Sequence, residues 1–165
     1  MSFIKEKIKI TCENLYTAAN RELYLFDEME YALCDYKQGN TPPENGWLPY
    51  NSKDKIYGRD EHAWFRFSFK TPKAEKNSSY YIKCTTGHEG QWDATNPQGL
   101  VYLNGKMVQG LDTNHTEIYL DENTDYILHN YFYTGSLCDE TAVRYALYRL
   151  DELTEQLYFD MSVAY

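Results

Sequence analysis

The sequence predicts a mainly β protein, an antiparallel β-sandwich with a helix at the N-terminus and the start of another at the C-terminus. Three observations predict it. About eight short segments alternate apolar and polar residues with the period of two that marks a half-buried strand. Turn signals recur between them at short intervals, the pattern of a sandwich. No helical segment separates consecutive strands, which argues against a parallel α/β sheet.

Residues 3–19 open the chain as a helix, because Ile4, Ile8, Cys12, Leu15 and Ala19 recur at three and four and build one apolar stripe. The period then changes. EYALCDY, residues 30–36, is the first plausible strand. A long connection follows, broken by Pro42-Pro43, Asn45-Gly46 and Pro49. A loop of this length inside a compact domain points to function or an interface.

HAWFRFSFK, residues 62–70, is the clearest strand. Phe65, Phe67 and Phe69 face one way, and Trp64, Arg66, Ser68 and Lys70 the other. Trp64 and Arg66 are placed to form a cation–π contact. A Trp on that outer face implies a cover, either the N-terminal helix or another domain. SYYIKCT (79–85), EIYL (117–120), DYILHNYFY (125–133) and AVRYALYRL (142–150) alternate in the same way. Between LVYL and KMVQG stand Asn104-Gly105, the preferred pair for a two-residue type I′ hairpin turn. At the C-terminus Leu153, Leu157 and Met161 are four apart, as in a helix start. The units expected are a helix over 1–22, a sandwich over 23–150, and over 151–165 the beginning of a connection to a further domain, as in a piece of a longer polypeptide.

Composition narrows function. The 165 residues suffice for one domain with a core. With 25 Asp and Glu against 16 Lys and Arg, the chain is a poor match for nucleic acid or for an anionic membrane surface. Cys12, Cys34, Cys84 and Cys138 are scattered, with no C-x-x-C pair and no zinc spacing. The N-terminus has no signal-peptide apolar run and no window is long enough to span a membrane, so reduced thiols in the cytoplasm are the expectation. The chain also carries 17 tyrosines, which suit strands, interfaces and sugar sites alike.

Polar chemistry concentrates between residues 87 and 115. Trp92, Asp93 and Asn96 precede the hairpin, and Asp112, Asn114 and His115 follow it. Trp92 with Asp93 and Asn96 suits either a sugar ring or packing on a neighbouring strand or domain. Asp93 and Asp112 can be proposed as the two carboxylates that glycoside hydrolysis needs, although most of 25 acidic residues in one chain simply face water. His62, His88, His115 and His129 lie on separate elements, a weak basis for a metal site. The H-E-x-x-H, G-x-S-x-G, P-loop and G-x-G-x-x-G motifs are absent.

Several segments, taken in order, resemble a known family. They are Tyr57-Gly58-Arg59-Asp60-Glu61-His62-Ala63-Trp64-Phe65-Arg66, a strand ending at Pro72, Asn96-Pro97-Gln98-Gly99-Leu100, Asn104-Gly105-Lys106 and Gln109-Gly110-Leu111-Asp112-Thr113-Asn114-His115. Together they resemble the N-terminal domain of the cytosolic-type α-mannosidases of glycoside hydrolase family 38. Leu157-Tyr158-Phe159-Asp160 is similar to the family's transition out of that domain. The resemblance runs over most of the chain from about residue 47 to the end, and more weakly over the N-terminal helix.

That resemblance implies a jelly-roll or galactose-binding-like sandwich, and a retaining exo-glycosidase that releases terminal α-linked mannose. The aspartate nucleophile and the zinc-type divalent metal would lie in a catalytic domain absent from this chain. No position here matches that catalytic motif, so no catalytic residue, metal ligand or cofactor is expected within these residues. The implied partners are the protein's own catalytic domain and a mannose-containing oligosaccharide. Trp92, Asp93, Asn96, Asp112, Asn114 and His115 then become a surface facing that domain. An autonomous carbohydrate-binding module and a protein-docking domain are the alternatives.

Overall fold

The computed structural model describes residues 3–38, 41–90 and 97–163. Helix α1 (Phe3–Ala19) leads into strands β1 (Asn20–Leu25) and β2 (Met29–Cys34). The long connection then holds two short strands, β3 (Leu48–Tyr50) and β4 (Ile56–Tyr57). β5 (His62–Lys70), β6 (Ser78–Thr85), β7 (Gln98–Leu103), β8 (Lys106–Leu111), β9 (Glu117–Leu120), β10 (Asp125–Tyr133), β11 (Glu140–Thr141) and β12 (Arg144–Asp151) follow, and helix α2 (Glu152–Val163) closes the order.

The strands form an antiparallel β-sandwich. One sheet has the order β1-β12-β6-β9 and the other β3-β2-β5-β10-β7-β8, while β4 and β11 pair separately. The alternation expected from the sequence sets the inner faces. Phe65, Phe67, Val101, Leu128 and Phe132 from the larger sheet meet Tyr80, Ile82, Ile118, Tyr145 and Leu147 from the smaller one. Burying each such aliphatic or aromatic side chain contributes about 1.5–3 kcal/mol. The β7–β8 hairpin turns through Asn104 and Gly105 with φ of 51° and 80°, as a type I′ turn requires. The Asn104 side chain also accepts from Ile127 N (2.8 Å) and donates to Asp125 O (3.1 Å), tying the turn to the start of β10.

Helix α1 occupies the predicted span. Ala19 is buried and Ile8, Cys12 and Leu15 are half-buried, whereas Ile4, the first residue of the stripe, is exposed. The helix lies on the outer face of the smaller sheet, where Ala19, Tyr81 and Leu150 form a second apolar cluster with Tyr148 beside it. Asn20 ends it. The Nδ2 of Asn20 donates to Tyr16 O (2.8 Å), satisfying a terminal carbonyl, and its Oδ1 accepts from the Tyr81 hydroxyl (2.7 Å). The chain therefore enters β1 at once, an element the sequence does not announce. Tyr158 of α2 packs on Tyr16 of α1, ring centroids 5.5 Å apart. Of the expected stripe Leu153 and Leu157 stay exposed and Met161 is half-buried, and it is the half-buried Tyr158 that α2 turns to α1.

Two expectations about Trp64 are corrected. Its cover is neither α1 nor another domain. Trp64 is fully buried among rings of its own sheet, Tyr131 at 5.5 Å and Tyr102 at 5.6 Å. The cation–π partner of Arg66 is also not Trp64. The Arg66 guanidinium lies 4.1 Å from the ring centroid of Trp47, which the long connection brings over the sheet.

Candidate functional site

The outer face of the larger sheet is built by three strands in register. His62, Trp64 and Arg66 of β5 stand opposite Tyr133, Tyr131 and His129 of β10, which in turn face Gln98, Leu100 and Tyr102 of β7. Most of this face is aromatic, where an antiparallel sheet with one solvated side would carry polar residues. His62 stacks on Tyr131 (5.7 Å, 10°) and on Tyr133 (5.0 Å, 27°), and its Nδ1 lies 2.7 Å from the Tyr131 hydroxyl. The Tyr133 hydroxyl donates to Asp60. Arg59 grips Asp139 through Nε (2.6 Å) and Nη2 (3.1 Å), and Glu61 N donates to Thr134 Oγ1 (3.0 Å). The Arg59-Asp60-Glu61-His62 run thus fastens the end of β10 to the start of β5.

At the other end of the face, His129 is enclosed by Trp47 (6.2 Å) and Trp64 (6.5 Å). Burial, with the nearby Arg66 charge, lowers its pKa from the ordinary 6.5. Arg66 Nε donates to Glu30 Oε2 (2.6 Å), so the one cation on this stretch is paired as well as stacked.

Towards β8 the face drops into an open hollow of about 460 Å³, lined by Gln98, Leu100, Gly110, Asp112, Tyr131 and Tyr133 among others. Among the described residues its only acidic lining residue is Asp112, and no Lys, Arg or His lines it. Asp112 opens the turn between β8 and β9. Its Oδ1 accepts from the backbone N–H groups of Asn114 and His115, each at 2.7 Å, and its Oδ2 lies 2.9 Å from His115 Nδ1. The His115 contact, with the two amides, holds the Asp112 carboxyl below its ordinary 3.8. Gly90 N donates to Thr113 O (3.0 Å) and Thr113 is buried, which anchors the turn. Asp112, Asn114 and His115 share one exposed turn, with Asp112 on the rim of the hollow.

Trp92, Asp93 and Asn96 lie outside the described residues, and with them the proposed Asp93–Asp112 pair. The four histidines do not converge. His62 and His129 sit apart on the outer face, His115 on its turn, and His88 has Nδ1 3.9 Å from Cys138 Sγ. Burial pushes the Cys138 thiol up, the opposite of an activated thiolate. Among the described residues no group of three or more His, Cys, Asp or Glu could hold a metal ion. Hydrolysis of a glycoside needs two carboxylates across the bond, and among the described residues the hollow presents one, Asp112.

Sequence reasoning missed Gly110, Tyr131 and Tyr133. A glycine inside a strand signals a close approach or an open space, but only the strand register shows that Gly110 stands opposite Leu100, with Tyr131 one strand further on.

No protein-family model matches the chain, and no curated protein matches it. Solved structures do. A β-glucuronidase from Ruminococcus gnavus in complex with D-glucaro-δ-lactam aligns at a TM-score of 0.52 and 9% identity, over 81% of this chain and 30% of that one. A second structure of the Ruminococcus gnavus enzyme aligns at 0.52 and 8%, over 80% and 28%. The likeness shows a shared sandwich fold that these glycosidases contain. The chain spans under a third of the length of the enzymes it matches. Among the described residues no helix is long and apolar enough to cross a membrane.

Proposed function

We propose that this chain is a catalytically silent accessory domain of a glycoside hydrolase, specifically the N-terminal sandwich of a family 38 α-mannosidase that hydrolyses terminal α-linked mannose. The observation that carries this reading is where the resembling motifs meet. Asp60 and His62 hold Tyr133 and Tyr131, Gln98 and Leu100 stand beside those tyrosines, and Gly110, Leu111 and Asp112 border the same hollow. Motifs that served the fold alone would be spread through the core. Ala63, Phe65 and Leu111 do serve the core and Asn104-Gly105 turns at the opposite end of the sheet, but Asp60, His62, Gln98, Leu100 and Asp112 gather at one end of one outer face, as a docking surface does.

In this reading the exposed side of the Asp112–His115 turn faces the catalytic domain. The nucleophile and the zinc-type metal belong to that domain. The described residues offer no ligand set for a metal, so no chemical step is routed through this chain. Cytoplasmic placement belongs to the same proposal, because Cys12, Cys34, Cys84 and Cys138, all unpaired, suit a reducing compartment.

The test is hydrolysis of an aryl α-mannoside by the purified chain with added zinc. No turnover above the buffer rate is expected. Release of the aryl group that a chelator abolishes would overturn the proposal.

A further inference from the structure

We propose that the hollow beside Gly110 binds one neutral pyranose ring, packed against Tyr131 and Tyr133 and hydrogen-bonded to Asp112. The argument begins with the outward row of the larger sheet, Ala32, Trp64, Tyr131, Leu100 and Gly110, read across β2, β5, β10, β7 and β8. The row carries a side chain at each position until Gly110. Among the described residues nothing demands glycine there. Its φ lies outside the left-handed region, and an added Cβ would meet no atom nearer than Gly99 O at 3.9 Å. The missing side chain keeps a space open that the fold itself does not need.

The lining decides what fits the space. The rings of Tyr131 and Tyr133 are fixed by stacking on His62 and by hydroxyl contacts to His62 and Asp60. They are pre-organised, which spares a ligand the cost of ordering them. With no basic side chain among the described lining residues, an anion has no counter-charge. A cation is not called for either, because the Asp112 charge already receives two backbone amides and the His115 ring. What remains is a neutral ligand with an apolar face for the tyrosines and hydroxyls for the spare lone pairs of Asp112, the chemistry of a pyranose. The volume lies within the roughly 300–1,000 Å³ usual for small-ligand sites. Only the choice of a mannoside as first probe rests on the function proposed above.

The experiment titrates the isotope-labelled chain with methyl α-mannopyranoside, methyl β-glucopyranoside and glucuronate, following backbone amides by NMR. At least one neutral glycoside should shift Leu100, Gly110, Asp112, Tyr131 and Tyr133 in the millimolar range, with glucuronate at least ~10-fold weaker. Gly110→Val, which suits a strand and fills the hollow, should weaken binding at least ~10-fold without changing the thermal midpoint. Tyr133→Leu, which removes an aromatic face, should weaken it likewise, and Leu157→Ser on α2 should leave it unchanged. The site is overturned if neither neutral glycoside shifts these amides, if glucuronate binds as well, or if both hollow variants bind like the parent chain. Should the sugars fail while the chain still docks on a catalytic domain, the accessory reading stands and this site falls.

Discussion

A Cβ added to Gly99 would lie 2.6 Å from the side-chain oxygen of Asn130 and 3.0 Å from its nitrogen. Asn130 is fully buried in the inward row of β10. Its Nδ2 donates to the Tyr145 hydroxyl across the sandwich (2.5 Å), and its Oδ1 has no hydrogen-bond partner among the described residues. Gly99 is thus required by a polar group in the core and not by turn geometry. Gly99→Ala should push Asn130 off Tyr145 and destabilise the fold by about 1–3 kcal/mol. A double-mutant cycle in urea checks the mechanism, since Gly99→Ala should cost clearly less once Asn130 is Ala. Strict additivity would show that residue 99 does not press on Asn130.

His129 predicts a pH dependence. Its pKa in the folded chain is lowered below 6.5, so between the folded and unfolded values the unfolded chain binds the proton and the folded chain does not. Its contribution is therefore present above 6.5 and lost as the pH falls below it. Thermal midpoints should begin to drop near pH 6.5, well above the carboxylate range, and His129→Gln should remove that first step. Trp47→Ala should let water reach the imidazole and move its titration, followed by NMR, up towards 6.5.

The Asp112–His115 turn makes a second, local prediction. The His115 ring is the largest influence holding the Asp112 carboxyl down. The turn's stability from this group is present above the ordinary value of 3.8 and lost as pH falls through the lower folded one. In His115→Ala the Asp112 carboxyl carbon should titrate closer to 3.8 in carbon-detected NMR, with the global thermal midpoint little changed because both residues are exposed.

Much of the fold was legible because alternation is a property of each strand alone. The inward row Phe65, Phe67, Phe69 and the Asn104-Gly105 turn needed no knowledge of partners. What could not be read was anything set by cross-strand neighbours. Trp64 is outward by parity yet fully buried, because rings of β10 and β7 close over it. Arg66 found Trp47 in the long connection instead of Trp64 on its own strand. β1 was hidden because Asn20 stops α1 through bonds to Tyr16 and to distant Tyr81. The grouping of Asp112, Asn114 and His115 was legible as one short segment, whereas the hollow beside them exists only once the register sets Gly110 opposite Leu100 and next to the tyrosines.

The central claim is that this face serves a catalytic domain. The most direct measurement is hydrogen exchange of the chain mixed with a family 38 α-mannosidase catalytic domain stripped of its own sandwich. The account predicts a one-to-one complex in which the amides of Gln98 to Leu100 and Asp112 to His115 exchange more slowly, while those of α2 away from the face do not change. No complex at any soluble concentration, with those amides exchanging as in the isolated chain, would contradict it.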